Sequence, residues 1–303
     1  MAIGVDLGGT KILVARVEGK KVHDTQKADT PTTGPADVAS TIAELVARID
    51  KSPHAIGVGT PGQVDDDGVV VGAPNLAGWQ DPVPLQQLIR DATGCKRITI
   101  DNDVNVATWA EHRHGAADGH DDVLGVFMGT GVGGGVILNG KVRRGPRGLG
   151  GEIGHTMYQP GGRRCGCGIE GHVEAYAGRV GMEREARRRH LAGESTALVE
   201  ISGEQRMKSS VFEKALAQHD AVAEELIEEA VAAAAVAISN AVMFVDITFV
   251  VLGGGVAERL GADFAKRIEG AANKLLVTHD AVEVVPAALG DNAGVVGAAA
   301  LVD

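Results

Sequence analysis

The sequence predicts an α/β protein in which one plan of strand, glycine turn and strand occurs twice. Three observations carry this expectation. "AIGVDL" runs through "GGTK" into "ILVARV" at the amino terminus, and "DVLGVFM" runs through "GTGVGGG" into "GVILNG" far downstream, so two hairpins share one plan. Between and after them, short apolar stretches alternate with stretches whose apolar residues recur at helical spacing. Glycine reaches 43 of 303 residues while aromatics make up only 3%, so alanine, valine and leucine must fill the core and glycine must serve tight turns.

The first hairpin should use residues 2–7 and 12–17 as strands. A helix follows at about 36–50, where Val38, Ile42, Leu45 and Ile49 fall on one face. Short strands are expected at 55–59 and 97–100, each running into a turn or a capped helix. After residue 175 the chain reads as mostly helical, with a charged stretch at "EREARRRH" and an alanine-rich helix at about 220–243. "ITFVVLGGG" then reads as a buried strand, and "GGGVAER" at 253–259 opens a helix. "LGDNAGVVGAAAL" is a helix whose small residues permit close packing back on the first lobe. The polar stretch "HGAADGHDD" places a boundary near residue 117: a small lobe over 1–117, a large lobe over 118–291, and a terminal helix over about 292–303 that returns to the small lobe.

Composition narrows the function. A chain 44% hydrophobic and 23% charged has the apolar mass for a large core. Its net charge of −11 repels phosphodiester backbones and anionic headgroups, and "RRGPRG" at 143–148 is a short basic cluster in a loop-like context, so no nucleic-acid or membrane partner is expected. The amino terminus enters a strand without a signal-peptide pattern, and the longest apolar run, "AVAAAAVAIS" from 230, is short for a bilayer, which suits a cytoplasmic protein. Cys165 and Cys167 are one residue apart and poorly placed to bridge each other. A metal in a reducing compartment suits these cysteines better than a disulfide.

Gly129, Gly131 and Gly134 match the bare dinucleotide pattern, but the residues that follow look like a strand where that motif requires a helix. A Walker loop is also absent. What remains is two glycine hairpins offering backbone N–H groups and the hydroxyls of Thr10 and Thr130 to one polyphosphate; the alternative is a pair of ordinary hairpins with no ligand. Asp103, in "DNDVN", stands where a strand ends and a helix begins, beside Asn102 and Asn105. It is placed either to take a proton or, with Asp101, to cap that helix. Asp6 ends the first strand and faces either magnesium or solvent. In "GEIGH", Glu152 and His155 lie three apart, with Gly154 leaving space for a ligand. His155, Cys165, Cys167 and His172 make two thiolates and two imidazoles, a full tetrahedral zinc set with no open position; the alternative is the same four residues packed without metal.

The motifs "GVDLGGTKI", "GVGTPGQVDDDGVV", "PNLAGW", "DNDVNVATWAE", "GTGVGGGVI", "GEIGH", "CGCGIEGHVE", "VLGGGVA" and "LGDNAGVVGAAAL" occur in the order seen in the ROK family, and the chain resembles that family of sugar kinases and sugar-responsive repressors from residue 3 to about 301. The resemblance implies an actin-like ATPase (hexokinase-like, ribonuclease H-like) fold of two lobes with a central cleft for the sugar. It implies ATP-dependent phosphorylation of glucose to glucose 6-phosphate, with Asp103 as general base. The sugar hydroxyls would fall to Asn102, Gly62, Asn75, Glu152, His155 and Glu174. ATP and Mg2+ would fall to Asp6, Gly8, Gly9, Thr10, Lys11, Gly129, Thr130, Gly131, Gly133, Gly254 and Gly255. The family's zinc segment reads C-x-C-G-x-x-G-C-x-E, and this chain has His172 where the third cysteine is expected. Structural Zn2+ would hold the sugar-binding loop in place. A homodimer or homotetramer is expected by the same resemblance. The same motifs recur in kinases for fructose, mannose or N-acetylhexosamines and in enzymes using polyphosphate. A repressor of this family would carry a helix-turn-helix ahead of the first strand and would not need Asp103.

Overall fold

The computed structural model describes residues 1–73, 76–278 and 282–303. The first hairpin is largely buried, and its register pairs Ala2 with Val17 and Leu7 with Ile12. β1 (Ala2–Leu7) pairs antiparallel with β2 (Lys11–Glu18), and β2 pairs antiparallel with β3 (Lys21–Asp29). α1 (Pro35–Ile49), β4 (Ile56–Thr60), the small pair β5 (Gln63–Val64) and β6 (Val70–Val71), α2 (Leu85–Thr93), β7 (Ile98–Asn102) and α3 (Asp103–His114) follow. The sheet order is β3-β2-β1-β4-β7, with β1, β4 and β7 parallel. β3, "KVHDTQKAD", has no apolar alternation, because it is the sheet edge and most of its residues are exposed.

The second half repeats the plan. β8 (Val123–Met128), β9 (Val132–Leu138) and β10 (Lys141–Val142) are followed by α4 (Glu174–Ala177), α5 (Arg179–Leu191), α6 (Ala197–Ser202), α7 (Ser209–Leu216) and α8 (Ala221–Val245). β11 (Phe249–Gly253), α9 (Gly254–Asn273), β12 (Glu283–Pro286) and α10 (Ala293–Ala300) complete the chain. The order β10-β9-β8-β11-β12, with β8, β11 and β12 parallel, matches the first sheet strand for strand. The duplication read from two glycine turns is therefore a duplication of whole sheets.

The chain divides into two compact units. One holds residues 1–121, 135–151 and 288–303, and the other holds 122–134 and 152–287. In the first unit, Ile3, Val5 and Leu7 of β1 join Ile12 and Val14 of β2 in the core that Ile42, Leu45 and Ile89 also enter. On the other face, Ala2, Ala15 and Val17 meet Val295, Val296 and Ala299 of α10. That contact is close because Gly4 and Gly57 carry no side chain: a Cβ there would lie 2.0 Å from the Val295 carbonyl oxygen and 1.6 Å from that of Ala298. In the second unit, the alanine-rich helix expected at about 220–243 is α8, with 25 residues. It is long and apolar enough to cross a membrane, yet most of its apolar stretch is buried, as befits a core helix.

Candidate active site and metal centre

The first unit gathers its candidate residues at the carboxyl ends of β1, β4 and β7, where parallel sheets place ligands. Asp6 is in register with Gly59, and Gly59 with Asp101, so the three strand ends lie level. Beyond them come the Gly8–Lys11 turn, Gly62, Asn102 and Asp103. Gly9, Thr10 and Lys11 are exposed, and the turn is held by Gly8 N–H donating to the Lys11 carbonyl at 2.9 Å and by Thr30 Oγ1 donating to the Gly8 carbonyl at 2.7 Å.

The helix cap falls to Asn102. Its Oδ1 accepts from the N–H groups of Val104 and Asn105, and its Nδ2 donates to the Gly62 carbonyl at 3.0 Å. Two positions expected to meet sugar are thus brought together. Asp103 is the first helical residue, half-buried, and its Oδ1 accepts from Val104 N–H at 2.9 Å. Asp101, only 1% exposed, accepts from Asn102 N–H, from Asn105 Nδ2 and, at 2.8 and 2.6 Å, from Arg144 Nε and Nη2. Arg144 belongs to the cluster "RRGPRG" that looked like a loose basic loop. It neutralises a buried carboxylate directly beneath the Asn102–Asp103 turn.

Asp6 is half-buried, and among the described residues no hydrogen bond or ion pair reaches its carboxylate. Gly294 of α10 presses against it, since a Cβ there would lie 2.7 Å from Asp6 Cγ. Burial pushes the pKa of Asp6 up from the ordinary carboxylate value. A hard oxygen donor that is half-buried and without a hydrogen-bond partner among the described residues fits Mg2+ or its waters. A raised folded pKa favours the protonated form, so the group's contribution to stability is present below the unfolded pKa and is lost as pH rises through the folded one. Asp6→Asn should therefore raise the melting temperature of the ligand-free, magnesium-free protein at pH 7 by about 1–4 °C. The gain should shrink as the pH is lowered, and calorimetry at both ends that shows a loss at pH 7 would overturn this account.

In the second unit, the turn between β8 and β9 closes with Gly129 N–H donating to the Gly131 carbonyl at 2.9 Å, and Thr130 is exposed. The residues after it form a strand, so the Rossmann pattern fails in structure as its context predicted. Gly133 lies within β9 rather than in the turn. Gly254, at φ 85°, sits against the end of β8, where a Cβ would be 2.7 Å from the Met128 carbonyl oxygen; Gly255 follows it at the head of α9. The two glycine segments expected to meet nucleotide are therefore neighbours at the ends of β8 and β11.

The metal donors converge. One ligand atom from each of His155, Cys165, Cys167 and His172 lies within 4.8 Å of the others. Cys165 Sγ is 3.8 Å from His155 Nδ1, and Cys167 Sγ is 3.3 Å from His172 Nδ1. A tetrahedral zinc ion requires sulfur to nitrogen separations of about 3.5 Å, which these two distances bracket. The loop that presents them is narrow: Cys165 N–H bonds the Ile169 carbonyl, Gly168 N–H bonds the Cys165 carbonyl, and Gly168 has φ 96°. Burial, reinforced by Glu174, pushes the Cys165 thiol up to about 12, so a thiolate at this position calls for a cation.

Glu152 and His155 flank the centre. His155 Nδ1 faces Cys165, while its Nε2 lies 3.9 Å from Glu152 Oε2. Glu174 Oε1 accepts from the Cys165 thiol at 3.2 Å, and its Oε2 accepts from Val132 N–H at 3.1 Å. Gly154 corrects one expectation. The space left by its missing side chain is filled by the Val132 carbonyl oxygen, 2.0 Å from where a Cβ would stand, so the glycine serves backbone packing and not ligand approach. Asn75 lies outside the described residues. Two cations escaped the sequence reading, Arg144 and Arg179, because Asp101, which pairs with the first, and Met207 and Thr130, which bond the second, lie far along the chain.

The ROK family model matches residues 2–303. The glucokinase of Thermotoga maritima is 31% identical, over 99% of this chain and 96% of that protein. An N-acetylmannosamine kinase of Yersinia pestis is 32% identical, over 98% of this chain and 96% of that protein. Among solved structures, the ROK hexokinase of Thermus thermophilus has a TM-score of 0.84 at 36% identity, covering 98% of this chain and 96% of its own. The ROK family glucokinase of Streptomyces griseus, solved with glucose and AMPPNP, has a TM-score of 0.83 at 32% identity, covering 99% and 98%. These likenesses give the duplicated sheets their name, the actin-like ATPase fold, and the chain belongs to the ROK family.

Proposed function

We propose that the chain is an ATP-dependent sugar kinase whose substrate is glucose and whose product is glucose 6-phosphate. The observation that carries the reading is the Asn102–Asp103 turn. It holds a carboxylate at the carboxyl end of β7, braced by the Arg144–Asp101 pair and joined to Gly62. Asp103 accepts the proton of the sugar hydroxyl as that oxygen bonds to the γ-phosphorus, and the bond from phosphorus to the bridging oxygen breaks with ADP leaving. The candidate sugar contacts are Asn102 and Gly62 in the first unit, and Glu152, His155 and Glu174 in the second. The glycine segments around Gly8, Gly129 and Gly254 receive ATP on their backbones. Asp6 would hold Mg2+, which supplies charge neutralisation on the phosphates. The glucose-acting relatives support the acceptor, and the AMPPNP complex of the Streptomyces griseus protein supports the donor.

A second reading has its own support. The Yersinia pestis relative, named as an N-acetylmannosamine kinase, matches almost the whole chain as well as the glucokinases do. ADP release with MgATP across glucose, mannose, fructose, N-acetylglucosamine and N-acetylmannosamine decides between them. Glucose is expected to give the highest kcat/KM. A profile led by N-acetylmannosamine would replace glucose, and no release with any sugar would remove the kinase assignment.

Zn2+ in the Cys2His2 centre would be structural, since all four positions are filled by protein. Its place is to fix His155, which turns its second nitrogen toward Glu152. His172→Ala is expected to lower zinc below one ion per chain by mass spectrometry and to weaken glucose binding about tenfold or more. His172→Cys, which restores the family's segment, should keep both. Wild-type zinc and affinity in His172→Ala would remove His172 from the ligand set.

A further inference from the structure

We propose that Arg179 is a positioning residue for the phosphates of the donor nucleotide, acting through Thr130 on the turn between β8 and β9. The inference rests on the reading that the nucleotide lies on this turn. A turn of Gly129, Thr130 and Gly131 has little rigidity of its own, and a phosphate site needs its donors fixed before the ligand arrives. The start of α5 supplies that rigidity. Arg179 N–H donates to the Gly129 carbonyl and Val180 N–H to the Thr130 carbonyl, each at 3.1 Å. The two carbonyls that would repel a phosphate are thereby consumed by a helix amino terminus, whose dipole favours an anion close by.

The side chain completes the arrangement. Arg179 Nη2 donates to Thr130 Oγ1 at 3.1 Å. From the other side, Nη1 donates to the Met207 carbonyl at 2.6 Å and lies 3.9 Å from Glu183, so the guanidinium is clamped with one edge toward the turn. The side chain is only 14% exposed. A planar group with five N–H donors and a permanent charge can hold the Thr130 hydroxyl and still face a phosphate, which a lysine ammonium on a flexible stem does poorly. Glu183 also pairs with Arg187 at 3.1 Å, so removing Arg179 does not strand that acid.

The test is binding of AMPPNP without sugar by calorimetry, together with KM for ATP and for glucose, in Arg179→Ala, Arg179→Lys, Thr130→Val and the Arg179→Ala/Thr130→Val double variant. Arg179→Ala should raise the Kd for AMPPNP and the KM for ATP about tenfold, with the KM for glucose within about twofold. Arg179→Lys should recover only part of the loss, and it carries the test if Arg179→Ala melts early. The double variant should lose less than the product of the single losses, because the two residues act as one unit. Strictly multiplicative losses would overturn the route through Thr130. Wild-type nucleotide affinity in both Arg179 variants would overturn the proposal outright. If the wild-type protein itself does not bind AMPPNP, the donor reading fails, and Arg179 loses its ligand with it.

Discussion

Asp103→Asn is expected to lower turnover by a factor of about 10²–10⁴ while glucose affinity changes less than about threefold. The substitution removes the negative charge and keeps the shape. Asparagine has nearly the volume of aspartate, and its side-chain oxygen can still accept from Val104 N–H as Asp103 Oδ1 does. The cap of α3 is carried by Asn102, and the buried charge below is carried by Asp101 with Arg144, so neither the helix start nor the ion pair depends on Asp103 being ionised. On the proposed role of Asp103 as general base, the substitution takes away the acceptor for the sugar's hydroxyl proton. The effect should therefore appear in kcat from a coupled ADP assay and not in the glucose Kd or the melting temperature. Turnover within a few-fold of wild type would place proton removal elsewhere, and a lowered melting temperature would recast Asp103 as a structural residue.

The local features of this chain were legible in proportion to how short-range their causes are. Val38, Ile42 and Leu45 fall on one helical face by spacing alone, and all three are buried in α1. The two glycine turns announced two sheets because a hairpin is a local object. The convergence of His155, Cys165, Cys167 and His172 was legible for the same reason: three of the four lie within eight residues on one narrow loop. Illegible features depend on partners far along the chain. Gly154 looks like room for a ligand until Val132, more than twenty residues away, is seen to occupy that room. Asp101 and Asp103 looked like equal candidates for the helix cap, yet Arg144, 43 residues on, claims Asp101, and Asn102 takes the cap. β3 escaped because an exposed edge strand has no buried face to impose alternation on its sequence.

Glu111→Ala is expected to destabilise the first unit by about 3–5 kcal/mol, a fall in its melting temperature of roughly 10 °C. Glu111 sits on α3 and is 0% exposed. Its Oε1 accepts from the N–H groups of Ala288 and Leu289 at 3.0 and 2.8 Å, and its Oε2 accepts from Ala116 at 2.8 Å and Ala288 at 3.0 Å. Gly115 is glycine because a Cβ there would stand 2.1 Å from Glu111 Oε2. One carboxylate thus satisfies three backbone donors from two segments, and alanine would leave all three without it. Glu111→Gln keeps one accepting oxygen but turns an NH2 group toward the remaining donors, so it should fall between wild type and alanine. The cost should reach the active site as well. Leu289 leads into α10, whose Gly294 presses on Asp6, so loosening the tether frees the helix that packs against that carboxylate. Glu111→Ala should therefore raise the magnesium concentration needed for half-maximal turnover at a temperature where the variant is still folded. A variant that melts within about 2 °C of wild type would show that the buried carboxylate is not what anchors the returning chain.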